Sequence, residues 1–263
     1  MNGIMNKFKS QLWKFSWFTR NHKKLNPDVL LIPNKFQGPL TFISDGVATS
    51  NNCDFLNEPR FKEAYKLAEM TSPWEGFEMQ WRTYIVCTLA DIVKRLPGDF
   101  VECGVNTGAY SRAVIKYIEF QKTGKTFFLL DTYEGLVPEQ ISEKEKEAGV
   151  GAYLKAYKNV YEQVVQTFAP FNVKIIKGAV PQTLTECSAE QVCYLSIDMN
   201  VAEPEIAAAN YFWEKVVSGG VIILDDYGFP AHIEQKKAFD AFAREKGVSI
   251  LYIPTGQGII FKP

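Results

Sequence analysis

The chain has 263 residues, of which 46% are hydrophobic and 14% aromatic, so it is long and apolar enough to bury a large core. Its formal net charge of -1 leaves no basic surplus, which argues against a nucleic-acid partner. No apolar run reaches the roughly 20 residues of a membrane span, and no signal peptide is recognisable, so we expect a cytoplasmic protein without a transmembrane segment.

Residues 1–54 are predicted to form a basic, aromatic arm followed by an extended segment. From Met1 to Lys24, lysines and arginine alternate with aromatic residues and no acidic residue occurs. Two interpretations stay open. The arm could be an interfacial helix in peripheral contact with anionic lipid, or a terminal segment that docks on a neighbouring subunit or stays mobile.

Helical periodicity predicts two helices between Glu58 and Leu96, forming a helical cap over residues 55–97. Strands and helices then alternate through residues 98–263. The predicted strands are 99–105, 126–131, 172–178, 191–198 and 221–226, with helices at about 108–120, 153–168, 204–217 and 234–246. The closing stretches SILYIP and GQGIIFKP predict an antiparallel hairpin. The fold class is therefore α/β: a Rossmann-like, doubly wound, mostly parallel seven-stranded sheet with an antiparallel last hairpin and an N-terminal helical cap.

One connection is too long for an ordinary link between a strand and a helix. Residues 134–160 are rich in charge and glycine. The segment is either a solvated insertion or a lid over a site at the carboxyl ends of the strands, where long loops are usually functional.

Ligands of doubly wound folds bind beyond the carboxyl ends of the strands. The first of these turns, ECGVNTGAYS, spaces its glycines as G-x-x-x-G and leads into a helix. It could receive a pyrophosphate or the carboxylate of an amino-acid-like cofactor. Asp131 ends the second strand, where a carboxylate can accept hydrogen bonds from both hydroxyls of a ribose. An adenosine-containing cofactor is therefore predicted.

Glu102 helps to separate the two main adenosine cofactors. A carboxylate repels the pyrophosphate of a dinucleotide but is compatible with the ammonium and sulfonium groups of S-adenosylmethionine. The sequence therefore favours the sulfonium cofactor.

Three aspartates end two of the later strands. Asp198 follows YLSI, and Asp225 with Asp226 follows VIIL. Adjacent strands would bring the three carboxylates together, and oxygen ligands without histidine or cysteine suit Mg²⁺, with Ca²⁺ and Mn²⁺ also open. The alternative is that one of the pair caps the next helix while the other pairs with a lysine.

The segments GDFVECGVNTGAYSRAV, LLDTYEGLVPEQ, GAVPQTL, YLSIDMN and GGVIILDDYG together resemble the macrocin O-methyltransferase (TylF, MycF and NovP) family, from about Phe55 to the C-terminus. The resemblance implies a class I enzyme that moves a methyl group from S-adenosylmethionine to a sugar hydroxyl of a small-molecule or glycoside acceptor, with Mg²⁺, as a homodimer. It assigns Asp198, Asp225 and Asp226 as metal ligands and Asp198 as the general base. The cofactor contacts that it implies are Glu102, Cys103, Gly104, Thr107, Gly108, Tyr110, Ser111, Asp131, Thr132, Tyr133, Gly178, Ala179 and Asp198.

The chain departs from the family pattern HIDxDxY. Ser196, Asn200 and Ala202 replace the histidine, the second aspartate and the tyrosine. The acceptor pocket is therefore expected to differ from that of the antibiotic-sugar enzymes. His232 is the only histidine outside the arm; it is interpreted as a surface residue opening a helix, with a role as alternative base left open.

Three other functions remain as alternatives. A nicotinamide-dependent oxidoreductase would use the glycine turn and Asp131 but leaves the aspartates unexplained. A metal-dependent hydrolase would use the aspartates but not the nucleoside site, and a membrane-associated binding module would use mainly the arm.

Overall fold

The computed structural model describes residues 39–152 and 158–263. The predicted arm to residue 38, and the start of the helix predicted at 153–168, lie outside this range. The chain divides into two compact units. The larger unit comprises Ile43–Val47 and Cys53–Pro263, and it contains the main sheet and the candidate site. Of the smaller unit, the structure describes residues 39–42 and 48–52.

A small hairpin lies in the segment that was expected only to be extended. Strands β1 (Phe42–Ser44) and β2 (Val47–Thr49) form a two-stranded sheet. Asp45 and Gly46 between them have φ angles of 48° and 76°, as a two-residue type I′ turn requires. The Asp-Gly pair between β-forming residues was a readable signal for this hairpin.

The main sheet has seven strands and confirms the predicted fold class. In chain order they are β3 (Asp99–Cys103), β4 (Phe127–Asp131), β5 (Val173–Lys177), β6 (Val192–Ile197), β7 (Val216–Leu224), β8 (Leu251–Tyr252) and β9 (Gly258–Phe261). Their spatial order is β5-β4-β3-β6-β7-β9-β8. Strands β3 to β7 pair in parallel, and β9 pairs antiparallel with both β7 and β8. The chain direction thus reverses only in the final hairpin, as its turn-rich sequence predicted.

Seven α-helices flank these strands in the described ranges. They are α1 (Pro59–Glu69), α2 (Gln80–Val93), α3 (Ala109–Tyr117), α4 (Glu143–Ala148), α5 (Tyr161–Phe168), α6 (Ala202–Trp213) and α7 (Ile233–Lys246). Short 3₁₀ turns occur at Asp54–Asn57, Phe120–Thr123, Pro138–Gln140, Leu184–Glu186 and Pro230–His232. The helix predicted at 204–217 ends earlier than expected, because Val216 already begins β7.

The central strands owe their position to their composition. All six residues of β6 are buried, as are the last five of β7, so both strands lie within the core. The five cysteines are also buried and form no disulfide. Within the described ranges, no helix combines the length and the apolar character needed to cross a bilayer.

Candidate functional site

A cavity of about 1200 Å³ opens at the carboxyl ends of β3, β4, β6 and β7. Because these strands are parallel and adjacent, the residues that follow them meet at one edge of the sheet. Predicted site residues that line the cavity are Gly104, Thr107, Asp131, Thr132, Tyr133, Gly178, Ala179, Asp198, Asp225 and Asp226. The structure therefore brings the predicted nucleoside end and the predicted metal end into one space.

The glycine loop between β3 and α3 passes directly over the end of β6. Gly104 has a φ of +88°, and a Cβ at this position would lie 1.8 Å from the backbone oxygen of Asp198. The amide of Asp198 in turn donates a hydrogen bond to the carbonyl of Cys103 at 2.8 Å. Only glycine tolerates both this conformation and this approach, so Gly104 holds the loop beside the residue predicted as the base.

Asp131, at the end of β4 on the other side of β3, fixes the same loop. Its Oδ2 accepts hydrogen bonds from the amides of Val105 at 2.5 Å and Asn106 at 2.8 Å, and its Oδ1 accepts one from the amide of Tyr133 at 2.6 Å. The carboxylate therefore ties the end of β4 to the glycine loop while it also lines the cavity.

Glu102 lies beneath the loop and does not line the cavity. It is 2% exposed and accepts a hydrogen bond from the hydroxyl of Ser111. Burial, with smaller contributions from Asp131 and Asp225, raises the pKa of Glu102 to about 8 although the Ser111 bond lowers it. The direct contact with a cofactor cation that the sequence argument invoked is thus not part of the cavity wall, because the side chain is used inside the core.

Four more of the predicted cofactor residues support the site from below rather than line it. They are Cys103, Gly108, Tyr110 and Ser111, all of them buried. Gly108 has a φ of +83° at the start of α3, and a Cβ there would lie 2.4 Å from the ring of Phe168. The glycine therefore permits close packing of α3 against α5 rather than close approach of a ligand.

The three aspartates do converge. Ligand atoms of Asp198, Asp225 and Asp226 all lie within 4.8 Å of one another. Burial, followed by the charges of Asp225 and Asp226, raises the pKa of Asp198 well above its usual range. Burial also raises the pKa of Asp226, with Asp225 adding to the effect and His232 opposing it. The alternative in which one aspartate only caps a helix is not what the structure shows.

Asn200 takes part in the site although it replaces the second aspartate of the family pattern. Its side-chain nitrogen lies 3.2 Å from Oδ1 of Asp198 and donates to it. The residue has a φ of 61°, a conformation that asparagine adopts more readily than most residues. The buried Glu205 accepts hydrogen bonds from the amides of Met199 and Asn200, which fixes this turn.

His232 requires a correction. Its position just before α7 agrees with the sequence, but its side chain is only 15% exposed and its Nε2 lies 3.7 Å from Oδ2 of Asp226. It is therefore a neighbour of the aspartate cluster and not a surface histidine, because the turn after β7 folds it back towards Asp226.

The sequence analysis missed one wall of the cavity, the connection between α1 and α2. This segment contributes Ser72, Pro73, Trp74, Glu75, Gly76, Phe77 and Met79, while the end of α1 contributes Glu69 and α2 contributes Arg82. A tryptophan beside proline and glycine in a loop was a readable signal for an exposed aromatic residue. An arginine within the apolar helix QWRTYIV was a signal for a buried ion pair.

Comparison with known proteins supplies the family. The model of the macrocin-O-methyltransferase (TylF) family matches residues 78–252. No curated protein matches the sequence.

Solved structures similar to this chain share its fold at low sequence identity. The O-methyltransferase NovP is 19% identical with a TM-score of 0.60, covering 69% of this chain and 79% of its own. The calicheamicin methyltransferase CalS11 is 13% identical with a TM-score of 0.53, covering 78% and 93%. The Podospora anserina methyltransferase PaMTH1, solved with S-adenosylhomocysteine bound, is 14% identical with a TM-score of 0.50, covering 78% and 88%.

The family model matches the glycine loop, Asp131 and the aspartate cluster in one continuous stretch. The prediction of an S-adenosylmethionine-dependent O-methyltransferase is confirmed over the oxidoreductase and hydrolase alternatives, while contact of the arm with lipid stays a prediction. The chain belongs to the macrocin-O-methyltransferase family.

Proposed function

We propose that this protein transfers a methyl group from S-adenosylmethionine to a hydroxyl group of a sugar or glycoside, with a divalent cation, most simply Mg²⁺, held by Asp198, Asp225 and Asp226. The observation that carries the proposal is the convergence of these three carboxylates in the same cavity as the glycine loop. The family name and the calicheamicin methyltransferase among its structural relatives support a glycosylated acceptor.

The cofactor would lie along the glycine loop. Gly104 lines the cavity where the amino-acid part of the cofactor would lie, and Asp131, Thr132 and Tyr133 line it at the end of β4, where a ribose would lie. Gly178, after β5, lines the next part of the wall. Glu102 does not line the cavity and would act through its hydrogen bond with Ser111, which holds the start of α3 beneath the glycine loop.

The chemistry of the cluster fits a hard divalent cation. The donors are carboxylate oxygens alone, which Mg²⁺ prefers over softer metals. Burial and mutual repulsion raise the pKa of Asp198 and Asp226, and a cation would relieve that repulsion. When bound, the ion would orient neighbouring hydroxyl groups of the acceptor and lower the pKa of the one to be methylated.

Asp198 is proposed as the general base. Methyl transfer is an in-line displacement that needs the acceptor oxygen about 3 Å from the methyl carbon. The Asp198 backbone contacts the cofactor loop at Gly104, and its carboxylate belongs to the proposed metal cluster in the same cavity, so the carboxylate would lie beside both the cofactor and the metal ion. Asn200 donates to Oδ1 and orients the carboxylate, which would take the hydroxyl proton as the new carbon–oxygen bond forms.

The wall between α1 and α2 is proposed as the acceptor subsite. Trp74 is 49% exposed within the cavity lining and meets Phe77 edge-on at 5.0 Å between ring centroids. Phe77 in turn stacks on Tyr65 at 5.5 Å, so the indole is held by a rigid support. An exposed, supported aromatic face suits the apolar face of a sugar ring, and the nearby carboxylates of Glu69 and Glu75 disfavour an anionic acceptor.

The connection at 134–160 is proposed as the lid over this subsite. It contains α4, whose N-terminus has a capping box between Ser142 and Glu145. The second oxygen of Glu145 accepts a hydrogen bond from the amide of Ala202 at 2.8 Å, which links the segment to the start of α6. Leu136 and Gln140 from the same segment line the cavity, so movement here would change water access to the reacting groups.

The division into arm, cap and core, the homodimer and the cytoplasmic location stay predictions. The homodimer is best examined by light scattering of the full chain.

Transfer of labelled methyl from S-adenosylmethionine to methyl glycosides that carry neighbouring hydroxyls tests the function. We expect activity that depends on added Mg²⁺ and falls by about 10²–10⁴-fold in Asp198→Asn. Asp240→Asn is the matched control, since Asp240 pairs with Lys236 on α7 outside the cavity lining. Transfer to phenolic diols but to no glycoside would overturn the acceptor class, and transfer unaffected by Asp198→Asn would overturn the role of the base.

A further inference from the structure

A cation of the protein itself lies inside the aspartate cluster. Arg82, on α2, is 8% exposed, and its Nη1 donates a hydrogen bond to Oδ2 of Asp225 at 2.5 Å. The same nitrogen lies 3.9 Å from Oδ1 of Asp226. The guanidinium therefore stands where a second positive charge, a metal ion, is also expected. Burial alone would lower the pKa of Arg82, but Asp225, Tyr110 and Asp45 raise it, so the side chain stays charged.

Asp225 is more fully bonded within the protein than its two companions. While Arg82 binds its Oδ2, its Oδ1 accepts hydrogen bonds from Gln257 at 2.9 Å and from Tyr110 at 3.2 Å. Asp226 has a different environment, since Nε2 of His232 and Nη1 of Arg82 lie 3.7 Å and 3.9 Å from its carboxylate oxygens, beyond hydrogen-bond distance. A carboxylate that is already neutralised is a weaker ligand for a metal ion, so Asp225 is the member of the cluster whose affinity is reduced.

The other side of the guanidinium is held by a carboxylate that is not among the proposed metal ligands. Nε and Nη2 of Arg82 each donate to a separate oxygen of Asp45 at 2.8 Å, a bidentate pair in which both side chains are 10% exposed. Asp45 stands in the tight turn between β1 and β2, and the ring of Phe229 packs 4.8 Å from the guanidinium carbon. Bidentate pairing fixes the orientation of the guanidinium, so Arg82 keeps a partner even when Asp225 turns towards a metal ion.

We propose that Arg82 is an internal counter-ion that shares Asp225 with the divalent cation and thereby lowers the affinity of the cluster for metal, with Asp45 setting how much of the guanidinium charge falls on Asp225. The inference rests on the metal site of the proposed function. It makes Arg82 and Asp45 positioning residues, because they act through Asp225 and not on the reacting atoms. The turn between β1 and β2 thus becomes part of what determines metal affinity.

Calorimetric titration of Mg²⁺, and of Mn²⁺ as a tighter-binding probe, into the full-length protein tests the proposal through two variants with opposite expected effects. The double variant Arg82→Met/Asp45→Asn removes the counter-ion together with its second partner, so no buried charge pair is broken on that side. We expect its metal affinity to rise on the order of tenfold. Asp45→Asn alone leaves the whole guanidinium charge to the cluster, and we expect its metal affinity to fall severalfold.

The matched control is Arg60→Met/Asp91→Asn, which removes another arginine–aspartate pair, 2.6 Å long, that joins α1 to α2. It should leave metal affinity unchanged. Binding of S-adenosylhomocysteine, measured on every variant, establishes that each one is folded. If Arg82 were purely structural, the double variant would bind metal more weakly. An unchanged or lower metal affinity in the double variant overturns this inference but leaves the proposed metal site standing. Absence of metal binding in both the wild type and the double variant overturns the proposed metal site as well.

Discussion

Replacing Gly104 by alanine perturbs the point where the cofactor loop meets the strand that carries the proposed base. The new Cβ would lie 1.8 Å from the backbone oxygen and 2.3 Å from the backbone carbon of Asp198. Side-chain rotation cannot relieve a clash with backbone atoms. A φ of +88° costs an L-residue about 1–2 kcal/mol, and overpacking adds about 1–3 kcal/mol. We therefore expect a total loss of about 2–5 kcal/mol in the free energy of unfolding.

The assay is thermal and urea unfolding beside a matched glycine. In a domain of this size each kcal/mol lowers Tm by roughly 2–4 °C, so Gly104→Ala should lower it by roughly 4–20 °C. Gly247→Ala is the control, because Gly247 ends α7 with a φ of +66° and nothing lies within 4 Å of the added Cβ. It should cost only the conformational term of about 1–2 kcal/mol. Equal losses for the two variants would refute the close approach of Gly104 to Asp198.

Three further predictions concern Glu102, Trp74 and Ser142. Because the pKa of Glu102 rises from 4.5 to about 8 on folding, the folded state binds the extra proton between these pH values and stability falls as pH rises across them. Urea unfolding at pH 5 and pH 8 should show this fall in the wild type and a shallower one in Glu102→Gln; identical slopes would contradict it. Trp74→Ala should raise the KM for a glycoside by about tenfold or more and Trp74→Phe much less, with the affinity for S-adenosylhomocysteine unchanged in both. An equal loss of S-adenosylhomocysteine affinity would contradict the assignment of Trp74 to the acceptor subsite. Ser142→Ala removes the cap of α4 and should cost about 1 kcal/mol locally, seen as faster hydrogen exchange in α4; unchanged exchange would count against the capping box.

The sheet could be predicted because its signals are local. Each strand is a short apolar run followed by a turn, and the end of each run places Asp131, Asp198 and Asp225 at one edge without any knowledge of distant contacts. The errors at element ends have local causes too. Val216 was assigned to a helix because only Glu214 and Lys215 separate the apolar end of α6 from β7, and no glycine or proline marks the boundary.

The contacts that hold the site residues in place could not be predicted from local sequence signals. Arg82 and Asp225 are 143 positions apart, and no periodicity links a helix of the cap to the end of β7. Glu102 was predicted as a cofactor contact from its place in the motif, whereas its burial beside Ser111 depends on packing around β3 that the motif does not encode. The hairpin around Asp45 is the exception, since its Asp-Gly turn was visible and was passed over.

The measurement that tests the central claim most directly is calorimetric titration of S-adenosylhomocysteine and Mg²⁺ into the wild type and into Asp225→Ala/Asp226→Ala. We predict that both proteins bind the nucleoside with similar affinity, because Gly104 and Asp131 form that end of the cavity, and that only the wild type binds Mg²⁺. Mg²⁺ binding that survives in the double variant, or a wild type that binds no nucleoside, would contradict the account.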